Sequence, residues 1–376
     1  MGRTNSKIRV LETIRQGKIG GGESHVLDLV ASLDKSVFEP VVLSFTEGPM
    51  ITALQRMDIP VFVIGSEKAF DISVWKKVKK FIQDQHIDIV HVHGTRANTN
   101  VLWAARSLGL PVVYTVHGWS FHDGLHPLAK RLRIAAEKFI TRKTQVNICV
   151  SESNRQTGMK AIGGFNSIVV RNGVNLQKFN PHGVYPDLRA EYGIPSHKLL
   201  ICFIARMTYQ KDPVSMIRSF AAASKLVPDL QLLMIGDGEL KADAVNTARE
   251  LGVEQQVIFA GFRQDVPAVL HAADIYCLPS LWEGFPIGVL EAMAMGKAVI
   301  ATDVDGTKEA VTDGENGLLV PSGNNAALTA AIVKLAMDHS LRLQLQQNAA
   351  ATVAANFNVA GMTEKIAAVY QQLCKQ

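Results

Sequence analysis

Apolar residues along this chain come in two textures. Short, β-branched, nearly continuous runs alternate with longer stretches in which apolar positions recur every three or four residues. The first texture fits strands buried on both faces and the second fits amphipathic helices. Their alternation predicts a parallel sheet covered on both sides. In the first half the strand-like runs are IRVLETI (8–14), EPVVLSF (39–45), VFVIG (61–65), IDIVHVH (87–93), PVVYTVH (111–117), VNICVS (146–151) and SIVVRN (167–172). Between the first two, ESHVLDLVASL sets Val26, Leu29, Val30 and Leu33 on one helical face.

The pattern breaks at NGVNLQKFNPHGVYPD (172–187), a polar stretch with Gly and Pro and no clear period. A second series follows: KLLICFIAR (198–206), LQLLMIG (230–236), QVIFAG (256–261), DIYCLPS (274–280), KAVIATD (297–303) and GLLVPS (317–322). Three helical patterns close the chain, at roughly 324–338, 340–354 and 358–374. Two doubly wound α/β domains are predicted, 1–176 and 177–376, with the last helix able to pack back on the first. A length of 376 residues suits two cores better than one. In such sheets ligands bind beyond the carboxyl ends of the strands, so functional residues are expected just after strand-like runs.

Composition adds mostly exclusions. Apolar residues make up 47% and charged residues 19%, a globular and not a disordered profile. A net charge of +5 over this length permits an anionic substrate but is too dilute for a nucleic-acid module. Cys149, Cys202 and Cys277 sit in strand-like runs without any CxxC, and Cys374 stands apart, so free thiols in a reducing compartment are expected. MGRTNSKIR (1–9) has no apolar signal core, and no apolar stretch reaches spanning length, which predicts a cytoplasmic protein. Two helical segments, WKKVKKFIQ (75–83) and LAKRLRIAAEKFITRK (128–143), carry Lys and Arg beside apolar positions. That pattern fits either a solvated covering helix or peripheral contact with an anionic membrane surface.

Candidate chemistry concentrates in three places. IGGGESH (19–25) follows the first strand, and three glycines there let something approach the backbone. It does not make a GxGxxG dinucleotide turn, and no GxxxxGK[ST] phosphate loop occurs anywhere. ARMTYQKDP (205–213) sets Arg206 and Lys211 after the first strand of the second series, where cations would meet a diphosphate. In PSLWEGFPIGVLEAMAMGKAVIATD (279–303), Glu283 and Glu291 lie eight positions apart. Pro286 stands near a first helical turn whose amides, at Ile287 and Gly288, would form an anion site. Glu291, farther along the same helix, could reach a ribose hydroxyl.

Taken in order, these residues resemble the retaining glycosyltransferases of family four, which have the GT-B fold. Arg206 with Lys211, then Glu283-Gly-Phe-Pro and Glu291 as E-x7-E, carry the resemblance. A glycine loop followed by Glu, HGWS, RNGVN and GENGLLVP fall in the matching order. The resemblance implies two Rossmann-like domains facing across a cleft, the second holding a nucleoside-diphosphate sugar and the first an acceptor. By position, Arg206 and Lys211 would bind the diphosphate, Glu291 the ribose and Glu283 the sugar. Gly284, Phe285, Pro286 and Ile287 would line sugar or phosphate through their backbone, and Phe262 and Arg263 would neighbour the base. His117 would reach the sugar from the first domain, Gly21 and Gly22 would approach diphosphate or sugar, and Glu23 would lie on the acceptor side.

This sequence departs from the family pattern at Asp212, at Pro286 and at DVDG (303–306), where glycine is frequent. The charged residues are untouched. The implied activity is transfer of a sugar, UDP-linked by preference, to a hydroxyl of a glycan or lipid-linked acceptor, without cofactor or metal, by front-face attack. It would serve surface polysaccharide or glycolipid assembly at the inner face of the membrane. Two alternatives remain: a catalytically silent nucleotide-sugar-binding protein of the same fold, and an enzyme acting on a small soluble acceptor. Two features mimic metal sites. Asp303-Val-Asp305 resembles a D-x-D, and His91, His93, His117, His122 and His126 accumulate in one region. Both are read as ordinary loop and cleft residues, because a metal wants tightly arranged ligands with outer-shell support.

Overall fold

The computed structural model describes residues 7–17, 20–122 and 124–375. Lys18 and Ile19, at the head of the glycine run, lie outside them. Two compact units emerge, Met1–Gly173 with Val359–Gln376, and Val174–Asn358. The sequence pattern places the first division at 176/177; the contacts place it at 173/174, and the chain crosses again at 358/359.

The first unit holds seven parallel strands: β1 (Ile8–Ile14), β2 (Phe38–Ser44), β3 (Val61–Val63), β4 (Ile89–His93), β5 (Val112–Val116), β6 (Val146–Cys149) and β7 (Ser167–Val169). Their order is β3-β2-β1-β4-β5-β6-β7. All five residues of β4 and of β5 are buried, as strands covered on both faces must be. The helix Gly21–Ser32 buries Val26, Leu29 and Val30 against the sheet. The helix Val359–Cys374 returns to the same side, and its Met362, Ile366, Val369 and Tyr370 share a core with Leu29, Phe38 and Val113. Burying four such side chains favours docking by on the order of 5–10 kcal/mol before ordering costs.

The second unit repeats the plan with β8 (Leu199–Ile204), β9 (Leu230–Ile235), β10 (Val257–Gly261), β11 (Ile275–Leu278), β12 (Ala298–Thr302) and β13 (Leu318–Val320), ordered β10-β9-β8-β11-β12-β13. In each sheet the chain winds one way from its first strand and then restarts on that strand's other side. The two switch points lie between β1 and β4 and between β8 and β11. There the connections part in opposite directions and leave a crevice at the strands' carboxyl ends.

The segments read as basic helices form Ile72–Asp84 and Pro127–Lys143. The first buries Val74, Val78 and Ile82. The second buries Glu137, Ile140 and Thr141 but leaves Leu128, Leu132 and Phe139 more than half exposed. No described helix is long and apolar enough to cross a membrane. Cys149, Cys202 and Cys277 are buried free thiols, and Cys374 is free and exposed.

Candidate active site

Two arms leave the switch point of the second unit. The first follows β8. Met207 donates its amide to Asp237 O at 3.0 Å, tying this loop to the one after β9. The tie is close because Gly236 and Gly238 lack side chains. A Cβ on either would stand 2.0 Å from Ala205 O or 2.3 Å from Met207 O. Arg206 is exposed, and its guanidinium makes no ion pair among the described residues. The chain then turns through a short 3-10 segment, Tyr209–Lys211, into the helix Pro213–Ser224. Asp212, standing where the family favours glycine, takes up the left-handed backbone itself (φ 49). Its carboxylate accepts from Ser215 N at 3.1 Å and caps the helix.

The second arm follows β11. Glu283 is only 7% exposed, and its Oε1 receives both the Lys211 ammonium and the Ser280 hydroxyl, the latter at 2.6 Å. Gln210 joins the arms a second time: Leu281 N donates to its carbonyl and its own amide donates to Trp282 O, each at 2.8 Å. The sequence thus puts Lys211 and Glu283 seventy-two positions apart, and the fold makes them one charged pair.

The loop after β12 supports this pair from below. Asp305 accepts from Glu283 N at 3.3 Å, and Asp303 pairs with Lys308 at 3.2 Å. Both carboxylates of the D-x-D therefore have protein partners. Gly306 has a strict reason to be glycine, since a Cβ there would sit 2.0 Å from Gly284 O. Phe285 is buried, with its ring 5.4 Å from that of Phe357, so its side chain belongs to the core.

Pro286 proves to be the N-cap of the helix Ile287–Ala294, one position earlier than the first helical turn. Its carbonyl receives Val289 N at 3.1 Å and Leu290 N at 3.3 Å. The amides of Ile287 and Gly288 precede these and have no intrahelical acceptor, which is the geometry of an anion site. Glu291 lies one turn farther on, partly buried.

Phe262 and Arg263 part company. Phe262 is half exposed, with its amide on Asp237 Oδ2 at 3.2 Å. The Arg263 guanidinium is committed elsewhere, to Asp265, to Glu191 and to the Tyr192 hydroxyl. The hydrogen bonds it donates to these two carboxylates, Asp265 first, push its pKa up, so it is a permanent structural cation.

In the first unit, the candidates gather at the other switch point. Gly21 and Gly22 open the helix that follows β1, with Glu23 buried in its first turn. A Cβ on Gly22 would lie 3.5 Å from the His117 ring, ordinary contact, so a methyl fits and a larger group would press on His117. The loop carrying His117 is pinned by Trp119, whose indole N–H donates to Asn154 O at 2.7 Å. The Trp119 ring occupies the space over Gly158, where a Cβ would come within 2.1 Å.

Around His117 stand His93, read from the sequence as an ordinary cleft residue, and three groups that sequence reasoning missed, Glu12, His25 and Tyr370. His93 Nδ1 is 3.0 Å from His117 Nε2, and His93 Nε2 is 2.8 Å from Glu12 Oε2. Tyr370 donates to Glu12 Oε1 at 2.7 Å, and His25 Nδ1 is 3.0 Å from Asn172 Oδ1. Burial tends to raise the Glu12 carboxyl, but His91 and the hydrogen bonds from His91 and His93 prevail and hold it far below the usual range. Burial and neighbouring rings lower His93 to about 4 and His25 to about 3, and His117 likewise lies well below the ordinary value. The clue to Glu12 in the sequence is its place as an acidic residue in the middle of the apolar strand IRVLETI. His122 and His126 do not join this cluster: His126 precedes the helix Pro127–Lys143, and His122 lies in the loop before it.

Comparison with known proteins agrees with this architecture. The Glycosyl transferases group 1 family model matches residues 184–352, and the Glycosyltransferase Family 4 model matches residues 19–178. The UDP-Gal:alpha-D-GlcNAc-diphosphoundecaprenol alpha-1,3-galactosyltransferase of Escherichia coli is 27% identical, over 98% of both chains. The phosphatidyl-myo-inositol mannosyltransferase of Mycolicibacterium smegmatis is 30% identical, over 86% of this chain and 83% of its own. Among solved structures, Anabaena HepE in complex with UDP and glucose superposes with a TM-score of 0.85 at 24% identity, over 97% of this chain and all of the other. With E-x7-E, its cationic partner and two Rossmann-like units all in place, the chain belongs to the group 1 glycosyltransferases of GT-B fold.

Proposed function

We propose that this glycosyltransferase moves a sugar, with retention at the anomeric carbon, from a nucleoside-diphosphate sugar to a hydroxyl of a glycan or lipid-linked acceptor in surface polysaccharide or glycolipid assembly. The observation that carries it is the convergence at one switch point of exposed Arg206, the Lys211–Glu283 pair and the N-terminus of the helix Ile287–Ala294. Departure of a nucleoside diphosphate builds negative charge. Arg206, Lys211 and the Ile287 and Gly288 amides stabilise that charge with no need for a metal. Glu291 holds the ribose, Glu283 the sugar, and Phe262 flanks the base. His117, Gly21, Gly22 and Glu23 are assigned their parts on the family resemblance. The acceptor attacks from the face the diphosphate leaves, and the departing phosphate takes up its proton.

UDP is the favoured nucleotide, since the Escherichia coli relative's name specifies UDP-Gal and the HepE structure contains UDP. Membrane-linked acceptors are supported by the names of both relatives, which specify a diphosphoundecaprenol and a phosphatidylinositol substrate. They are supported also by the helix Pro127–Lys143, whose exposed Leu128, Leu132 and Phe139 stand among Lys and Arg and suit an anionic membrane surface. On this reading the enzyme works at the inner face of the membrane.

Arg206→Ala is the cleaner of the two cation tests. It removes an exposed charge with no ion pair among the described residues, whereas Lys211→Ala would also strand the buried Glu283. Sugar transfer by Arg206→Ala should fall about a hundredfold or more with the melting temperature unchanged, and wild-type transfer should persist in EDTA. UDP should raise the melting temperature more than GDP or ADP. Undiminished transfer by Arg206→Ala would remove the diphosphate assignment.

A further inference from the structure

The histidine cluster at the first switch point contains a directed chain that runs from β1 through β4 to the loop after β5. Glu12 and His91 face each other across the β1–β4 ladder, and Ile14 faces His93 there. His93 is thus one strand over and two residues on from Glu12, which brings its Nε2 to 2.8 Å from Glu12 Oε2. Its Nδ1 continues to His117 Nε2 at 3.0 Å. Glu12 and His93 are at most 2% exposed, so no bulk water relays between them.

Each link fixes the next. The Glu12 carboxylate is ionised and receives the Tyr370 hydroxyl at 2.7 Å, so it can only accept. His93 must therefore carry its proton on Nε2. A neutral ring has one proton, so Nδ1 of His93 is bare and can only accept. His117 must in turn donate from Nε2, and this leaves its own Nδ1 bare. Among the described residues Nδ1 of His117 has no hydrogen-bond partner. The opposite arrangement would set a bare nitrogen of His93 against the carboxylate and forfeit a charge-assisted bond inside the core.

We infer that Glu12 and His93 are positioning residues which lock His117 as the Nε2-protonated tautomer and present its Nδ1 as a pure hydrogen-bond acceptor. Such an atom takes a sugar hydroxyl as donor. It cannot hand a proton to a phosphate or leaving oxygen, so His117 orients the donor sugar and does not act as a general acid. This inference rests on the assignment of His117 to the sugar under the proposed function. Tyr370 extends the lock to the helix Val359–Cys374, so residues from both ends of the chain set the state of one ring.

The test is ring-proton NMR of the full-length protein labelled with 15N-histidine, with His117 assigned by comparison with His117→Gln. Wild-type His117 should show its proton on Nε2 and a bare Nδ1, unchanged from pH 5.5 to 8. In Glu12→Gln the side-chain amide can donate to His93 instead. The His117 proton should then shift toward Nδ1, and kcat should fall roughly ten- to a hundredfold with little change in donor KM. Glu12→Asp, which keeps the charge, should recover part of both. A wild-type His117 protonated on Nδ1 overturns the lock even if no variant folds. A Glu12→Gln enzyme with tautomer and kcat both unchanged does so as well. Full transfer by His117→Gln beside an intact wild-type tautomer overturns the assignment of His117 to the sugar and leaves the lock standing.

Discussion

At the scale of single residues, the least expected feature is a carboxylate in the middle of a buried strand. Glu12 is fully buried and would be ruinous alone, yet Tyr370 and His93 satisfy it directly. The rings around it carry a pH signature. His93 titrates in the fold at about 4 and His25 at about 3, against about 6.5 for an unfolded histidine. As pH falls from 6.5, the unfolded chain binds protons at these positions while the folded chain does not. Stability present above pH 6.5 is therefore lost on acidification down to those folded values, by about 1.4 kcal/mol per pH unit per histidine. Below about 4.5 the depressed Glu12 carboxyl adds a loss of the same sign. Urea unfolding midpoints measured from pH 7 to 4.5 should fall steadily in the wild type and less steeply in His25→Gln. Parallel curves would show that His25 does not titrate on unfolding as argued. Both residues could have been suspected from the sequence, His93 from the alternation HVH and Glu12 from its apolar neighbours. Their pairing could not, because eighty-one positions separate them.

At the scale of elements, amphipathic pattern proved a good guide to position and a poor one to partner. Ile72–Asp84 and Pro127–Lys143 look alike in sequence, since both mix basic with apolar residues, Lys alone in the first and Lys with Arg in the second. The first turns its apolar stripe into the core. The second turns inward a face containing Glu137, which is held by Thr95 at 2.6 Å and Tyr114 at 3.2 Å, and leaves three large apolar side chains outside. Only the packed sheet distinguishes them. Replacing Leu128, Leu132 and Phe139 together by Ser should leave the melting temperature within a few degrees. It should reduce co-sedimentation with vesicles containing anionic lipid severalfold, because each removed side chain forfeits apolar transfer energy of about 1.5–3 kcal/mol at most. Equal sedimentation of variant and wild type would remove this helix from the membrane contact.

At the scale of the molecule, the chain's return is the organising event. The helix Val359–Cys374 lies at the far end of the sequence but supplies Met362, Ile366, Val369 and Tyr370 to the core of the first unit. A fragment of residues 1–173 should therefore show weakened or no cooperative thermal unfolding. Adding the helix through a flexible linker should restore it. A sharp transition for 1–173 alone would mean that the first core is complete without the helix. Tyr370 makes the loss chemical as well as apolar, since Glu12 would keep its burial and lose a donor.

All thirteen strands among the described residues, and their parallel character, were legible in the sequence, because near-continuous β-branched runs separated by amphipathic ones leave few other ways to bury apolar surface. The cationic loop, E-x7-E and the start of the helix near Pro286 were legible too, because each is a local pattern at a strand end. Tertiary structure alone decided which distant groups became partners. It joined Lys211 to Glu283, tied Arg263 to Asp265 and Glu191, gave Asp303 and Asp305 protein partners, and set Glu12 behind His93 and His117. Periodicity reports the face a side chain occupies, while pairing depends on strand order and register, and those are fixed only when the whole sheet closes.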